Sequence, residues 1–231
     1  MKKAGSVGGM GPESTIIYYH DVVYGVQQAL GRQEYPELTI ESANVFNILR
    51  LCGEKKYDEL TEYLLSAVRA LAAAGAEFAV LSANTPHVVF DRLAQVSPLP
   101  MISIVEAACD EAARRGLKKI GLLGTVYTMT EDFFKAPFTR RGIEVISPLP
   151  QEAEMINGRI ASELEVGIVR QETLAEFQTV ISRMRDEDGI EAVVLGCTEL
   201  PLLLGDEVSP VPCLDTLRIH VDAIVRAILS E

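Results

Sequence analysis

The chain has 231 residues, 48% of them hydrophobic and 23% charged, and its formal net charge at pH 7 is −12. This length suits one large domain or two small ones with a sizeable buried core. The negative net charge argues against a nucleic-acid-binding surface, which requires a basic face. No segment reaches the roughly 20 consecutive apolar residues of a membrane span, and the first residues lack the apolar stretch of a signal peptide. We therefore expect a cytoplasmic protein with neither a nucleic-acid nor a membrane partner.

The cysteines are few and widely spaced. Cys52, Cys109, Cys197 and Cys213 form neither a disulfide framework nor a paired metal-ligand pattern. Reduced thiols are the normal state in the cytoplasm. The sequence therefore predicts no metal site, and each cysteine is either a core residue or a reactive thiol.

Short apolar runs alternate with helical patterns along the chain. Runs typical of buried strands lie at residues 38–40, 78–81, 102–104, 120–123 and 193–195, and helical patterns lie at residues 56–74 and 106–115. In the first helical pattern, Leu64, Val68 and Leu71 recur at spacings of four and three positions, and Gly75 ends it. Alternating strands and helices predict an α/β fold with mainly parallel sheets. Ligands of such folds bind beyond the carboxyl ends of the strands.

The chain also resembles itself. Residues 76–85 can be laid on residues 190–199, and residues 4–9 on residues 120–125, at offsets of about 114 and 116 positions. In the first of these registers Ala83 coincides with Cys197. Two matches at nearly one period predict two similar α/β lobes, which we place at residues 1–98 with 209–231 and at residues 99–208. We expect the active site where the polar turns of the two lobes meet.

Four motifs, in this order along the chain, carry a resemblance to a known family. They are Gly-Gly-Met-Gly-Pro at 8–12, Asn-Thr-Pro-His at 84–87, Gly-Thr at 124–125 and Gly-Cys-Thr-Glu-Leu at 196–200. Together they resemble the aspartate/glutamate racemase superfamily. The resemblance implies two flavodoxin-like lobes, a homodimer and amino-acid racemisation without pyridoxal or another cofactor. It also implies that a cysteine from each lobe flanks the α-carbon of the substrate.

The first cysteine of that pattern is replaced by Ala83 in this chain, and alanine can neither take nor give a proton. The resemblance assigns the remaining catalytic cysteine to Cys197. Three interpretations stay open. The chain is a racemase that uses another second acid, a one-cysteine decarboxylase or isomerase of a small dicarboxylate, or a non-catalytic binder of carboxylates in which Ala83 is natural or engineered.

Cys197 must be a thiolate to act as a base. A helix starting near residues 200–201 would supply backbone N–H groups that stabilise the anion. Glu199 is a candidate to orient or deprotonate the thiol, or to accept the ammonium group of the substrate.

The other candidate site residues would bind the substrate. Asn84, Thr85 and Thr198 are candidates for the α-carboxylate because they lie in turns that follow strands, although turn and cap chemistry explains the same residues. Thr125 and Thr128 form the equivalent pair in mid-chain, where Thr125 is also a candidate helix N-cap.

Three further residues have a structural explanation beside the functional one. Met10 lies in the glycine-rich loop that would line the floor of the site, and such a loop is also a tight strand–helix turn. Arg50 is a candidate for a distal carboxylate, which a guanidinium binds through two parallel hydrogen bonds, or it is a surface arginine. His87 follows a proline, and we expect it to be a structural hydrogen-bonding residue.

Overall fold

A computed structural model describes residues 1–230, and its strands form two parallel sheets of four. The strands of the first sheet are β1 (Ala4–Gly8), β2 (Leu38–Ser42), β3 (Phe78–Leu81) and β4 (Met101–Ile102). Those of the second are β5 (Lys119–Leu123), β6 (Glu144–Ile146), β7 (Ala192–Leu195) and β8 (Cys213–Asp215). Two units contain these sheets: residues 1–107 with the residues from 217 onward, and residues 108–216.

The two sheets have the same topology. Their strand orders are β2-β1-β3-β4 and β6-β5-β7-β8, and every neighbouring pair is parallel. The central strands end level with each other, because Val7 pairs with Leu81 and Leu123 pairs with Leu195. The predicted fold class, α/β with two similar lobes built on parallel sheets, is confirmed. In each unit the loops that follow the two central strands leave the same edge of the sheet.

Ten helices accompany these strands in the described part of the chain. They are α1 (Pro12–Leu30), α2 (Val45–Gly53), α3 (Tyr57–Ala73), α4 (Phe90–Val96), α5 (Ile104–Arg114), α6 (Val126–Thr130), α7 (Asp132–Arg140), α8 (Pro150–Ser162), α9 (Gln171–Arg183) and α10 (Thr216–Leu229). Three 3-10 turns cover Thr85–Val89, Leu164–Val166 and Leu200–Leu202, and a π-helical turn, Met184–Asp188, follows α9. None of the described helices combines the length and the hydropathy that crossing a bilayer requires.

The predicted strand at residues 102–104 is wrong at its end, because Ile104 begins α5. The hydroxyl of Ser103 explains the change. Its Oγ accepts hydrogen bonds from the backbone N–H groups of Val105 and Glu106, both at 3.2 Å. A serine in this position satisfies donors of the first helical turn and so starts a helix.

The last strand of each sheet follows a Pro-x-Pro segment, at residues 98–100 and 210–212. Prolines in such positions favour a joint in the chain. The structure nevertheless pairs β4 with β3 and β8 with β7. The first sheet therefore continues beyond residue 98, and the second continues beyond residue 208.

Glycines in the first strand of each sheet allow close packing. A Cβ at Gly5 would lie 2.9 Å from the Cβ of Ala76, and one at Gly121 would lie 2.8 Å from Cδ1 of Ile190. Ala76 and Ile190 are equivalent residues in the internal repeat. The repeat thus reflects the same packing constraint in the two units. The buried strands β3 and β7 occupy equivalent places in the two sheets. The loops that follow these two strands carry candidate site residues.

Candidate active site

The loop after β7 presents Cys197 at the edge of the second sheet. The backbone N–H of Gly196 donates to the carbonyl of Leu123 at 2.7 Å, which fastens the loop to β5. A side chain at position 196 would collide with that carbonyl, because a Cβ there would lie 2.8 Å from the oxygen. Cys197 is partly exposed, whereas the other three cysteines are buried. Among the cysteines of the described chain, this thiol is therefore the one that a substrate can reach.

Glu199 is the hydrogen-bond partner of this thiol. Cys197 Sγ donates to Glu199 Oε2 at 2.9 Å, and the hydroxyl of Thr198 donates to the same oxygen at 2.9 Å. Desolvation and then the negative charge of Glu199 raise the pKa of Cys197 well above its ordinary value. The resting side chain is therefore a thiol, with a carboxylate in contact to receive its proton.

The predicted helix after Cys197 is wrong. Leu200–Leu202 is a three-residue 3-10 turn, and the side chains of Leu203 and Leu204 then enter the core of the second unit. So short a turn has no aligned helix dipole that could stabilise a thiolate. The backbone N–H of Glu199 does lower the pKa of Cys197, but desolvation and the carboxylate outweigh it.

A second carboxylate, on Glu165, acts on the same thiol. Glu165 lies in the 3-10 turn Leu164–Val166, and its charge adds to the effects that raise the pKa of Cys197. Partial desolvation, followed by the charge of Glu199, raises the pKa of Glu165 itself. Sequence reasoning missed this residue because it lies far from every motif.

Thr125 and Thr128 lie against the Cys197 loop in the same unit. Their hydroxyl oxygens are 3.2 Å apart, and Thr125 Oγ1 accepts the backbone N–H of Thr128 at 3.4 Å as the N-cap of α6. A Cβ at Gly196 would touch the Cγ2 atom of Thr128 at 3.2 Å. The structure thus brings this threonine pair beside the backbone of the Cys197 loop, and the cap role expected of Thr125 is present.

In the first unit, the loop after β3 carries Ala83, Asn84 and Thr85. Ala83 and Asn84 are buried, and Thr85 opens the 3-10 turn Thr85–Val89. The preceding Ser82 anchors the loop to β1, because its hydroxyl donates to the carbonyl of Val7 at 3.0 Å. This loop occupies the place that the Cys197 loop has in the second unit.

His87 holds the same loop from the other side. Its Nδ1 donates to the carbonyl of Ala83 at 2.9 Å, and its Nε2 accepts the backbone N–H of Ile104 at 3.2 Å. These partners specify the neutral ring, and burial lowers the pKa of His87 to about 3. The geometry is that of the structural hydrogen-bonding residue we expected.

Met10 and Arg50 have different surroundings. Met10 is buried in the loop after β1, next to Gly9, whose φ of 77° is a left-handed conformation that suits glycine. Arg50 lies on the exposed face of α2, where it donates to Glu54 and to Asn47, both at 2.9 Å. Within the first unit, Met10 lies on the loop adjacent to the one that carries Ala83. Arg50 is engaged by partners on its own helix and the turn after it.

Comparison with known proteins gives the family. The model of the Asp/Glu/Hydantoin racemase family matches residues 7–224. The chain belongs to the Asp/Glu/Hydantoin racemase family. It is 27% identical over 230 residues to the broad specificity amino-acid racemase RacX of Bacillus subtilis, covering 98% of each protein.

Two solved structures of full-length similarity agree with this assignment. An aspartate racemase homologue from Pyrococcus horikoshii OT3 is 36% identical with a TM-score of 0.88, and a Yersinia pestis protein proposed to be an Asp/Glu racemase is 34% identical with a TM-score of 0.93. Each comparison covers 100% of both chains. Membership in this racemase family implies a small amino acid as the substrate. Within residues 1–230, no group of three or more His, Cys, Asp and Glu side chains is arranged to hold a metal ion.

Proposed function

We propose that this chain is a cofactor-independent amino-acid racemase in which Cys197 exchanges the α-proton of its substrate. One observation carries the proposal. In a chain of the Asp/Glu/Hydantoin racemase family, the partly exposed thiol after β7 donates a 2.9 Å hydrogen bond to a carboxylate. The similarity to a broad specificity amino-acid racemase supports a free amino acid as the substrate.

The proton moves along the hydrogen bond that the thiol makes. For proton removal, the Sγ–H proton passes to Glu199 Oε2, and the resulting thiolate takes the α-proton of the substrate. For proton return, the protonated Cys197 delivers its proton to the carbanion from the same face. Cys197 holds a proton at this point because it has just taken the α-proton, and exchange of that Sγ–H with solvent deuterium before the return step produces the Cα–H exchange seen in heavy water.

The carbanion is stabilised at the substrate carboxylate. Negative charge flows onto that group as the α-proton leaves, so donors aimed at it lower the barrier. In this proposal the donors come from Asn84, Thr85, Thr125, Thr128 and Thr198. Thr198 reaches the carboxylate by turning its hydroxyl away from Glu199, to which it now donates. Met10 lines the floor of the site, and Arg50 contributes only if it leaves Glu54.

Ala83 limits the rate of racemisation. A complete inversion needs a proton from the face opposite Cys197, and the family pattern has its first cysteine at position 83. With alanine there, water is the donor, and water is a poor replacement for a positioned thiol. We therefore expect rapid exchange of the α-proton of one enantiomer and slow inversion. The proposal includes a homodimer that acts in the cytoplasm, as the resemblance to racemases implies.

Proton NMR in heavy water tests the proposal. Each enantiomer of a panel of amino acids is incubated with the protein, and the loss of the Cα–H signal and the change in chirality are followed. Exchange by the wild type and its loss in Cys197→Ser support the proposal. The matched control is Cys213→Ser, because the Ser209 hydroxyl, which donates to the Cys213 side chain, can donate to the new hydroxyl in the same way. No exchange with any amino acid would reject racemisation.

The presence of Ala83 favours a second candidate, a one-cysteine decarboxylase or isomerase of a small dicarboxylate. Such a reaction needs a proton at one face only, and Cys197 supplies it. Release of CO2 from a malonate-like acid, lost in Cys197→Ser, would support this candidate. Carboxylate binding that survives Cys197→Ser without any turnover would instead indicate a non-catalytic binder.

A further inference from the structure

The start of α6 is held by a residue that the proposed function does not include. Asn157 lies on α8, and its Oδ1 accepts a hydrogen bond from the backbone N–H of Val126 at 3.0 Å. Val126 is the first residue of α6 and directly follows Thr125. The first N–H groups of a helix have no partner within the helix, so a side chain that accepts one of them fixes where the helix begins. Asn157 thus ties the turn that carries Thr125 and Thr128 to α8.

The same turn packs closely against the backbone of the Cys197 loop. A Cβ at Gly124 would lie 3.2 Å from the carbonyl oxygen of Gly196 and 3.2 Å from Cγ2 of Thr128. There is no space for a side chain between the turn and the loop. Because the turn touches the loop, any shift of α6 would change the distance between the threonine hydroxyls and Cys197. The bond to Asn157 opposes such a shift.

The cap bond of α6 is longer than the bond to Asn157. Thr125 Oγ1 accepts the backbone N–H of Thr128 at 3.4 Å, beyond the range of about 2.7–3.2 Å that is typical of N–H···O bonds. The two threonine hydroxyls are 3.2 Å apart, so they also interact with each other. The 3.0 Å bond to Asn157 lies within the typical range and is therefore better formed than the cap bond.

Helix propensity does not explain asparagine at position 157. Asn157 is followed by Gly158, and both residues are poor helix formers that together more often mark a turn. The helix α8 nevertheless runs through this pair, and the buried side chains of Ile156 and Ile160 anchor it in the core of the second unit. The amide oxygen of asparagine can accept an N–H group from another element. The bond to α6 is therefore the physical reason for this residue.

We propose that Asn157 is a positioning residue, which holds the Thr125–Thr128 pair in place to bind the carboxylate of the substrate. It acts through the backbone N–H of Val126. The inference rests on the proposed function, in which these threonines donate to that carboxylate. Such donors are effective only when they are held at hydrogen-bond distance from the group they stabilise. Loss of the bond should therefore weaken recognition of a carboxylate without changing the thiol itself.

Alkylation of Cys197 tests this role without relying on catalysis. Iodoacetate carries a carboxylate that the threonine pair would bind, and iodoacetamide is the matching reagent without the charge. The ratio of the two alkylation rates measures carboxylate recognition beside the thiol, whereas the iodoacetamide rate alone reports on the thiol. Mass spectrometry of the peptide that contains Cys197 gives both rates.

Two variants remove the bond from opposite ends. Asn157→Ala removes the acceptor, and Val126→Pro removes the N–H donor. Proline suits the first position of a helix, and Thr125, with φ −63° and ψ 157°, already has the extended backbone that a following proline requires. Val126→Ala is the matched control, because it shortens the same side chain and keeps the N–H group. Thr128→Val removes a hydroxyl of the pair and is the reference for lost recognition.

We expect Asn157→Ala and Val126→Pro each to lower the iodoacetate-to-iodoacetamide ratio by about fivefold, the factor that corresponds to one hydrogen bond. Thr128→Val should lower the ratio similarly, and Val126→Ala should keep the wild-type ratio. The double variant of Asn157→Ala and Val126→Pro should lower the ratio no further than either single variant, because both remove the same bond. The iodoacetamide rate should stay at the wild-type value throughout.

An unchanged ratio in Asn157→Ala or in Val126→Pro would overturn the positioning role. Additive effects in the double variant, a low ratio in Val126→Ala or a wild-type ratio in Thr128→Val would also overturn it. A changed iodoacetamide rate would show a general distortion of the loop and would reject the proposal as well.

The outcome of the alkylation experiment does not depend on racemisation. If no amino acid undergoes Cα–H exchange, the racemase function is rejected, and the alkylation ratio still decides the role of Asn157. If exchange occurs, Asn157→Ala and Val126→Pro should raise the KM for the amino acid by about the same factor as they lower the ratio, whereas Val126→Ala should not. An unchanged KM in both variants would contradict the positioning role while leaving the racemase function intact.

Discussion

The loops after β3 and β7 occupy the same place in two sheets of identical topology, yet they differ in chemistry. The first is fastened on both sides, by Ser82 to β1 and by His87 to Ile104, and it presents Ala83. The second presents a partly exposed thiol that is bonded to Glu199. The comparison shows that a shared scaffold supplies position, whereas individual side chains supply the capacity to move a proton.

The largest expected effect comes from removing the Cys197 thiol from the loop after β7. Replacing Cys197 with serine should slow Cα–H exchange by about 10³-fold, because a positioned general base contributes on the order of 10²–10⁴-fold and a serine hydroxyl is a far weaker base. The measurement is proton NMR in heavy water. Cys213→Ser should retain the wild-type rate. A Cys197→Ser variant that exchanges at the wild-type rate would remove the thiol from the mechanism.

The next prediction concerns acid stability, which depends on the first unit. All three histidines of the chain lie there. Burial lowers the pKa of His87 to about 3 and that of His220 to about 4, from 6.5. Between these pH values and 6.5, the unfolded chain binds more protons than the folded chain. The free energy of unfolding therefore has its full value above pH 6.5 and decreases as the pH falls towards 4. At pH 5 each histidine should cost roughly 2 kcal/mol of stability.

Urea denaturation at pH 7.5 and pH 5 measures this loss. His220→Gln should reduce the difference between the two conditions, because it removes one titrating group. In the wild type, the neutral ring of His220 accepts a hydrogen bond from the hydroxyl of Tyr18 and donates one to the carbonyl of Ile102. The exposed His20, paired with Asp21, provides the control variant His20→Gln. If stability is the same at both pH values, the two buried histidines do not govern the acid response.

A smaller effect should come from introducing a thiol into the loop after β3. Ala83→Cys places a thiol at the position of the first family cysteine, and we expect racemisation to become at least tenfold faster for some amino acid. The measurement is the loss of optical activity with time. Failure to accelerate inversion of any amino acid would contradict the assignment of position 83 as the missing proton donor.

The smallest expected effect comes from Glu199→Gln, which removes the negative charge beside the thiol. Glutamine at this position keeps an oxygen that can accept from Cys197 but removes the negative charge, so the pKa of Cys197 should fall. Alkylation of Cys197 by iodoacetamide at pH 8 should then become several-fold faster, while Cα–H exchange becomes slower because the proton acceptor is lost. Glu154→Gln serves as the control. Unchanged alkylation would show that the charge of Glu199 does not govern the protonation of the thiol.

Much of the fold could be predicted because its causes are local in the sequence. The run at residues 78–81 is β3 itself, and the three-and-four spacing of Leu64, Val68 and Leu71 gives α3. The repeat anticipated the shared topology because Gly5 and Gly121 meet the same packing requirement against Ala76 and Ile190. The end of the strand before α5 was missed, because the capping hydroxyl of Ser103 outweighs the strand preference of Ile104.

For the site, the reactive residue types and their order could be predicted from the sequence, because each motif lies within a few positions of a strand end. The family could be predicted as well, from the Gly-Cys-Thr-Glu segment and its partner at residues 84–87. The electrostatics of the site could not be predicted without the folded structure. The raised pKa of Cys197 and the pairing of Arg50 with Glu54 depend on distances in the folded chain. Coulomb energies follow separation in space, and separation along the sequence does not specify it.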